Sequence, residues 1–291
     1  SCRLCHAGPA TVEAVLADAD VTSGGAVTLT ALDDTTIDSD VVAAAVSASF
    51  SSSSLSGALA VGVVYALNTI DNTTRAVVED GAGVDALGGF NASAESTSRI
   101  SAVGAAASVS IAASSGSLGL SGAGTGAVVD NVITNTIAAG VAGVASVDAG
   151  GAVSITAVDD ATISSDVVAA SASIAAGDIA VSLAIAVSVA NNTIDNSTRA
   201  LIDDSSVGAG GALTLIADAS ADIDATGVAA ALSIAASSGQ LALGVSVTVA
   251  LVNNTVDGVV EALISNADLA DLQSVTAGGP ITIAASNTND I

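Results

Sequence analysis

The chain contains no lysine, methionine or tryptophan, and only three aromatic residues, Phe50, Tyr65 and Phe90, in 291 positions. Four arginines stand against 29 acidic side chains, a formal charge of −25. Without a cationic footprint the chain has nothing to grip phosphate, which excludes nucleic acid as a partner and disfavours anionic membranes. So few aromatics force any core to be built from Ala, Val, Ile and Leu. They also deny a membrane barrel its aromatic girdles, so no membrane insertion is expected. A single histidine rules out histidine-based triads and the paired histidines of zincins, and nothing places a carboxylate pair, so no enzyme is expected.

The two cysteines and the one histidine are all found in the first six residues, Ser1-Cys2-Arg3-Leu4-Cys5-His6. C-x-x-C-H is the spacing for covalent haem c attachment, with thioethers from Cys2 and Cys5 and His6 as the proximal iron ligand. With no second histidine and no methionine, the distal position is open, water-filled or taken by the Ser1 amino group. Arg3 is the nearest cation for the haem propionates. The competing reading is a Cys2–Cys5 disulfide beside an incidental histidine.

Half of the residues are apolar, and they alternate regularly, which argues against disorder. Val181, Leu183, Ile185, Val187 and Val189 alternate with Ser182, Ala184, Ala186, Ser188 and Ala190. Leu241 to Val249 repeats the pattern. Period two marks β-strands with one bulky and one small face, and the small face is expected to pack closely against another layer. The uncharged stretches 41–70, 100–129 and 225–256 are long enough to span a membrane as helices, but their alternation and their Ser and Gly clusters oppose helix.

Glycine pairs ending at Gly25, Gly89, Gly151, Gly211 and Gly279 each precede a short β-run, in steps of 64, 62, 60 and 68 residues. Asn68-Thr69-Ile70-Asp71-Asn72-Thr73-Thr74-Arg75 returns as Asn192-Thr193-Ile194-Asp195-Asn196-Ser197-Thr198-Arg199, with a degenerate copy at Asn254 to Asp257. A fixed period means stacked units sharing one core. The expected fold is all-β, a repetitive β-solenoid with wide coils of about 60 residues. The alternative is a layered set of antiparallel hairpins, with a tight turn at 237–240. Residues 1–9 form the haem-attachment segment and 10–291 a single solenoid domain.

The pattern N-T-x-D-N-[ST]-T-R-A, followed by acidic residues and Gly-Gly-Ala-Leu-Thr-Leu at 210–215, resembles the repeats of large bacterial filamentous adhesins of the leukotoxin type. That resemblance covers about residues 10–291 and implies a secreted surface structure. The N-terminal motif resembles that of c-type cytochromes, which implies export and an extracellular or cell-surface location.

Residues 10–18 align with the last strand of a repeat, and the chain stops after the first strand of a new one. With no polar capping unit at either end, head-to-tail association into a homopolymer is expected. Four to five coils at roughly 4.8 Å each would space successive haems some 20–25 Å apart, a poor wire, so a structural fibre is favoured over electron transfer. The aspartates 33, 34, 38 and 40, with 159, 160 and 166 and with 218, 222 and 224, recur at equivalent places. They are candidates for Ca²⁺, though none has the spacing of a known calcium loop. Arg75 and Arg199 are read as structural partners of nearby acids. Asn72, Asn91, Asn191, Asn196 and Asn253 open glycosylation sequons but equally suit stacked turn ladders.

Overall fold

In a computed structural model the chain is an all-β solenoid. The structure describes residues 2–52, 55–116, 118–143, 145–265 and 274–291, with side chains from Pro9 onward. No helix occurs among them.

Each coil is a long flattened loop with two legs and one short side. The first complete coil runs through β3 (Val27–Ser51), β4 (Leu55–Glu79) and β5 (Gly83–Ala86). The second runs through β6 (Phe90–Ser114), β7 (Leu118–Ala142) and β8 (Ser146–Ala149). In the third, β9 (Val153–Asp203) carries both legs without a break and leads to β10 (Ser206–Ala209). β11 (Leu213–Ser265) does the same in the fourth, followed by β12 (Val275–Ala277) and β13 (Ile281–Asp290). β1 (Cys2–Ala17) and β2 (Asp20–Ser23) precede them. A leg of 25 residues is about 80 Å long at ~3.3 Å per residue.

Among the described residues every strand pairing is parallel. The outgoing legs stack as β3, β6, β9, β11 and β13, the returning legs as β1, β4, β7, β9 and β11. The short sides form a second sheet in the order β12-β10-β8-β5-β2. The two legs of one coil therefore face each other across the interior rather than pairing backbone to backbone. The turn expected at 237–240 exists, but as an arch between stacked layers, which excludes the antiparallel-hairpin alternative.

The corners repeat from coil to coil. Those after the first four returning legs hold Asp18, Asp80, Gly143 and Asp204, all at positive φ between 48° and 68°. Aspartate tolerates that region and glycine enters it freely. The glycine pairs form the opposite corner. There Gly88 N donates to Gly25 O, Gly151 N to Gly88 O, Gly211 N to Gly151 O and Gly279 N to Gly211 O, one turn stacked on the next.

Two apolar clusters fill the interior. One lies by the short side and includes Phe90, Ile155, Ile202 and Leu215; the other, midway along the legs, includes Ile70, Ile100, Ile133, Ile163 and Ile194. Towards the arch the interior narrows to Ala, Gly and Ser. There Ser56 donates to Ser49 O, Ser121 to Ser110 Oγ and Ser182 to Ser173 O, tying the legs together. The small face packs inward, as its composition implied. The bulky face, with Leu59, Leu183 and Leu243, is turned outward.

Charge follows the stacking. In-register parallel strands would bring identical acids to within about 4.8 Å, where like charges repel. Most outward columns instead alternate: Asp34, Thr97, Asp160, Ser220 in one, and Asp40, Val103, Asp166, Thr226 in another. Skipping a coil puts the acids about 10 Å apart, near the Debye length. Asp85 over Asp148, Asp195 under Asp257 and Asp222 beside Asp290 are exceptions.

Candidate functional site

β1 runs from Cys2 to Ala17 as one strand, pairing with β4 through a register shift between Ala7 and Ala10. Cys2 pairs with Tyr65, Arg3 with Ala66, Cys5 with Asn68 and His6 with Thr69. Ser1, and the side chains of Cys2, Arg3, Cys5 and His6, lie outside the described residues. Positions three apart in an extended strand are about 10 Å apart and of opposite parity. A disulfide needs Cα atoms within roughly 4.4–6.8 Å. Either a bridge or one porphyrin held by both cysteines thus calls for a local departure from this backbone.

Among the described residues the densest polar chemistry is a buried seam between the two apolar clusters. It arises because Asn72, Asn135 and Asn196 take inward positions on their returning legs, two residues after Ile70, Ile133 and Ile194, by the ordinary alternation of a strand; the pairing of β7 with β9 skips Thr134 and Asn135 there. The asparagines thus face inward, onto the outgoing leg. Asn72 Nδ2 donates to Asp33 Oδ2 at 2.6 Å and also to Thr35 Oγ1. Asn135 Nδ2 donates to Asp159 Oδ1 at 3.1 Å, and Asn196 Nδ2 to Asp159 Oδ2 at 2.5 Å. One carboxylate thus clamps asparagines from two successive coils. Burial pushes the Asp159 carboxyl up to about 6, while the two amide donors partly offset that rise.

A second row lies four residues before these asparagines. Asn68 donates to Asn131 at 2.7 Å, Asn131 to Asn192 at 2.8 Å and Asn192 to Asn254 at 2.9 Å. Asn131 and Asn192 each donate to the coil above and accept from the coil below, an arrangement that only in-register parallel stacking provides; the carbonyl of Asn68, at the foot of the row, has no partner among the described residues. On the outer face a parallel row runs from Tyr65 through Asp130 and Asn191 to Asn253.

Arg75 and Arg199 lie on the outer face of the returning legs in one column: Glu13, Arg75, Ala138, Arg199, Glu261. Arg75 pairs with Glu13 at 3.0 Å and with Glu79 at 2.5 Å; Arg199 pairs with Glu261 at 3.2 Å. They pair with nearby acids, as the sequence reading held: Glu13 and Glu261 on neighbouring coils, Glu79 on the same leg.

The expected calcium clusters do not converge. Asp33 and Asp159 turn inward, their sequence neighbours Asp34 and Asp160 outward, and no three His, Cys, Asp or Glu side chains come together among the described residues. Asn72 and Asn196 are buried with their amide nitrogens engaged, which leaves no room for a glycan at those sequons. Sequence reasoning missed the seam because the second copy, Asn131-Val132-Ile133-Thr134-Asn135, has diverged from Asn-Thr-Ile-Asp-Asn. The signal was the asparagine pair four residues apart, retained at Asn68/Asn72, Asn131/Asn135 and Asn192/Asn196.

Chemically, the carboxylates and amides of the seam bond mainly to one another and to Thr35 inside the stack, while the buried carbonyls of Asn68 and Asn72 have no partner among the described residues. The seam holds coils in register. Searches of protein-family models, curated proteins and solved structures find no match to this chain.

Proposed function

We propose that the chain is a non-enzymatic structural subunit of an extracellular fibre, in which coils of one copy stack in register on coils of the next. The observation that carries this reading is the uninterrupted row Asn68, Asn131, Asn192, Asn254. Each coil presents to its neighbour the same donors and acceptors at the same positions, so any coil edge is a template for another copy. The acidic, mostly alternating exterior supports an extracellular rod that resists unspecific clumping. Electron microscopy of concentrated protein tests it: fibres one molecule wide, with a diffraction spacing near 4.8 Å along the axis, are expected. Discrete particles at every concentration would overturn the reading.

A covalent haem c at Cys2 and Cys5, ligated by His6, with Arg3 near the propionates and Ser1 as a distal amine, is the second reading. The Cys2-Arg3-Leu4-Cys5-His6 motif favours it. When bound, the haem would supply a one-electron redox centre. A Soret band with a mass increase of one haem is its test; a colourless protein of bare polypeptide mass would instead point to the adhesin or surface-layer component without haem.

A further inference from the structure

The half of each coil nearest the arch is built with its bulky side outward. On the returning legs, Leu118–Val129, Ile179–Ala190 and Leu241–Val252 carry no ionisable side chain, and their outward positions are aliphatic or glycine. Leu183 and Ile185 remain 40% and 37% exposed although coils lie on both sides of them. This face is not flat. Gly122, Gly124 and Gly126 occupy the outward positions of the second coil, beside Leu183, Ile185 and Val187 of the third. A Cβ placed at Gly124 or Gly126 would meet nothing within 4 Å, so no internal contact requires glycine there. The result is a trough one strand wide next to a ridge one strand wide.

We propose that this face docks a second copy of the chain, leg face against leg face, about a two-fold axis parallel to the strands and midway between the second and third coils. That operation keeps positions along the strand and exchanges the two coils. Ile185 of each copy then enters the trough at Gly124 of the other, Leu183 at Gly122 and Val187 at Gly126, because those pairs already share a column. Two observations choose this occupant. The first is charge: two bodies of −25 can approach closely only over a surface free of acids, and these stretches are free of them. The second is area. Four strands about 4.8 Å apart and about 11 residues long cover roughly 700 Å² per copy, or about 1,400 Å² in all, within the range of stable interfaces. A lipid surface would need no trough, and the chain has almost no aromatics to anchor one.

This pairing is lateral and independent of end-to-end stacking, so the two readings fail separately. The test compares wild type with Gly124→Val/Gly126→Val, which fills the trough with side chains that suit a strand, and with Ile185→Ser, which lowers the ridge. Sedimentation velocity at micromolar concentration and microscopy of any fibres are the readouts. Wild type should sediment as a dimer, and its fibres should run in pairs. The trough double variant should be monomeric, with single fibres, an affinity reduced at least 100-fold and no loss of melting temperature. Ile185→Ser should weaken the dimer about tenfold or more. A monomeric wild type, or a dimer indifferent to filling the trough, overturns the proposal. Flotation of monomeric wild type with neutral phosphatidylcholine vesicles overturns it in favour of lipid.

Discussion

Val129 occupies the space that Gly104 leaves empty: a Cβ on Gly104 would lie 2.6 Å from Val129 Cγ2. The relationship reverses from coil to coil. The column of Gly104 reads Val41, Gly104, Val167, Gly227, and the column of Val129 reads Ala66, Val129, Ala190, Val252. Where one leg carries valine the other carries alanine, and where one carries glycine the other carries valine. Their summed size stays nearly constant, which keeps the two sheets at one spacing throughout the stack.

Gly104→Val should therefore be destabilising by about 1–3 kcal/mol, the usual cost of overpacking. Val129→Ala alone should cost a similar amount through the cavity it opens. The double variant should recover most of the loss, since it recreates the valine–alanine pair of the neighbouring coils. Chemical denaturation of all four proteins gives the coupling. Additive losses would show that the two columns do not compensate.

Breaking the inner asparagine row in the middle should be costly. Asn131→Leu leaves Asn68 without its acceptor and Asn192 without its donor, both buried, for a loss of about 2–4 kcal/mol. Asn253→Leu, on the exposed outer row, should cost less than about 1 kcal/mol. Equal losses in thermal melts would remove the distinction between the rows.

Asp159 makes stability depend on pH in an unusual direction for an acid. Its folded pKa is raised above the ordinary 3.8 to about 6, so between those values the folded state holds the proton more firmly than the unfolded chain. Its contribution is fully present below about pH 4 and is lost as pH rises through about 6. The span corresponds to about 3 kcal/mol at most. Asp159→Asn cannot titrate, so its stability should fall less between pH 4 and 6 than that of wild type. Parallel curves for the two proteins would refute the assignment.

Ala138 separates two arginines in a column where charge otherwise alternates. Ala138→Glu should bridge Arg75 and Arg199 and raise stability by up to about 1 kcal/mol, a gain that 1 M salt removes. Ala138→Arg should lower stability by a comparable amount at low salt. Melting temperatures in dilute buffer and in 1 M sodium chloride check both.

The glycine-pair spacing, the period-two runs and the Asn-Thr-Ile-Asp-Asn copies sufficed to establish stacked β-coils of about 60 residues, because corners and strands are local matters of backbone preference. Local preference could not choose between coil-to-coil pairing and hairpins, since Ser237 to Gln240 can close either. That choice depends on partners some sixty residues away: Asn131 finds Asn192, and Asp159 gathers both Asn135 and Asn196. The alternation of Leu183 with Ala184 pointed to close packing of the small face, but not to what it would pack against. Only the facing legs, brought close by the arch, admit the alanine and send the leucine out.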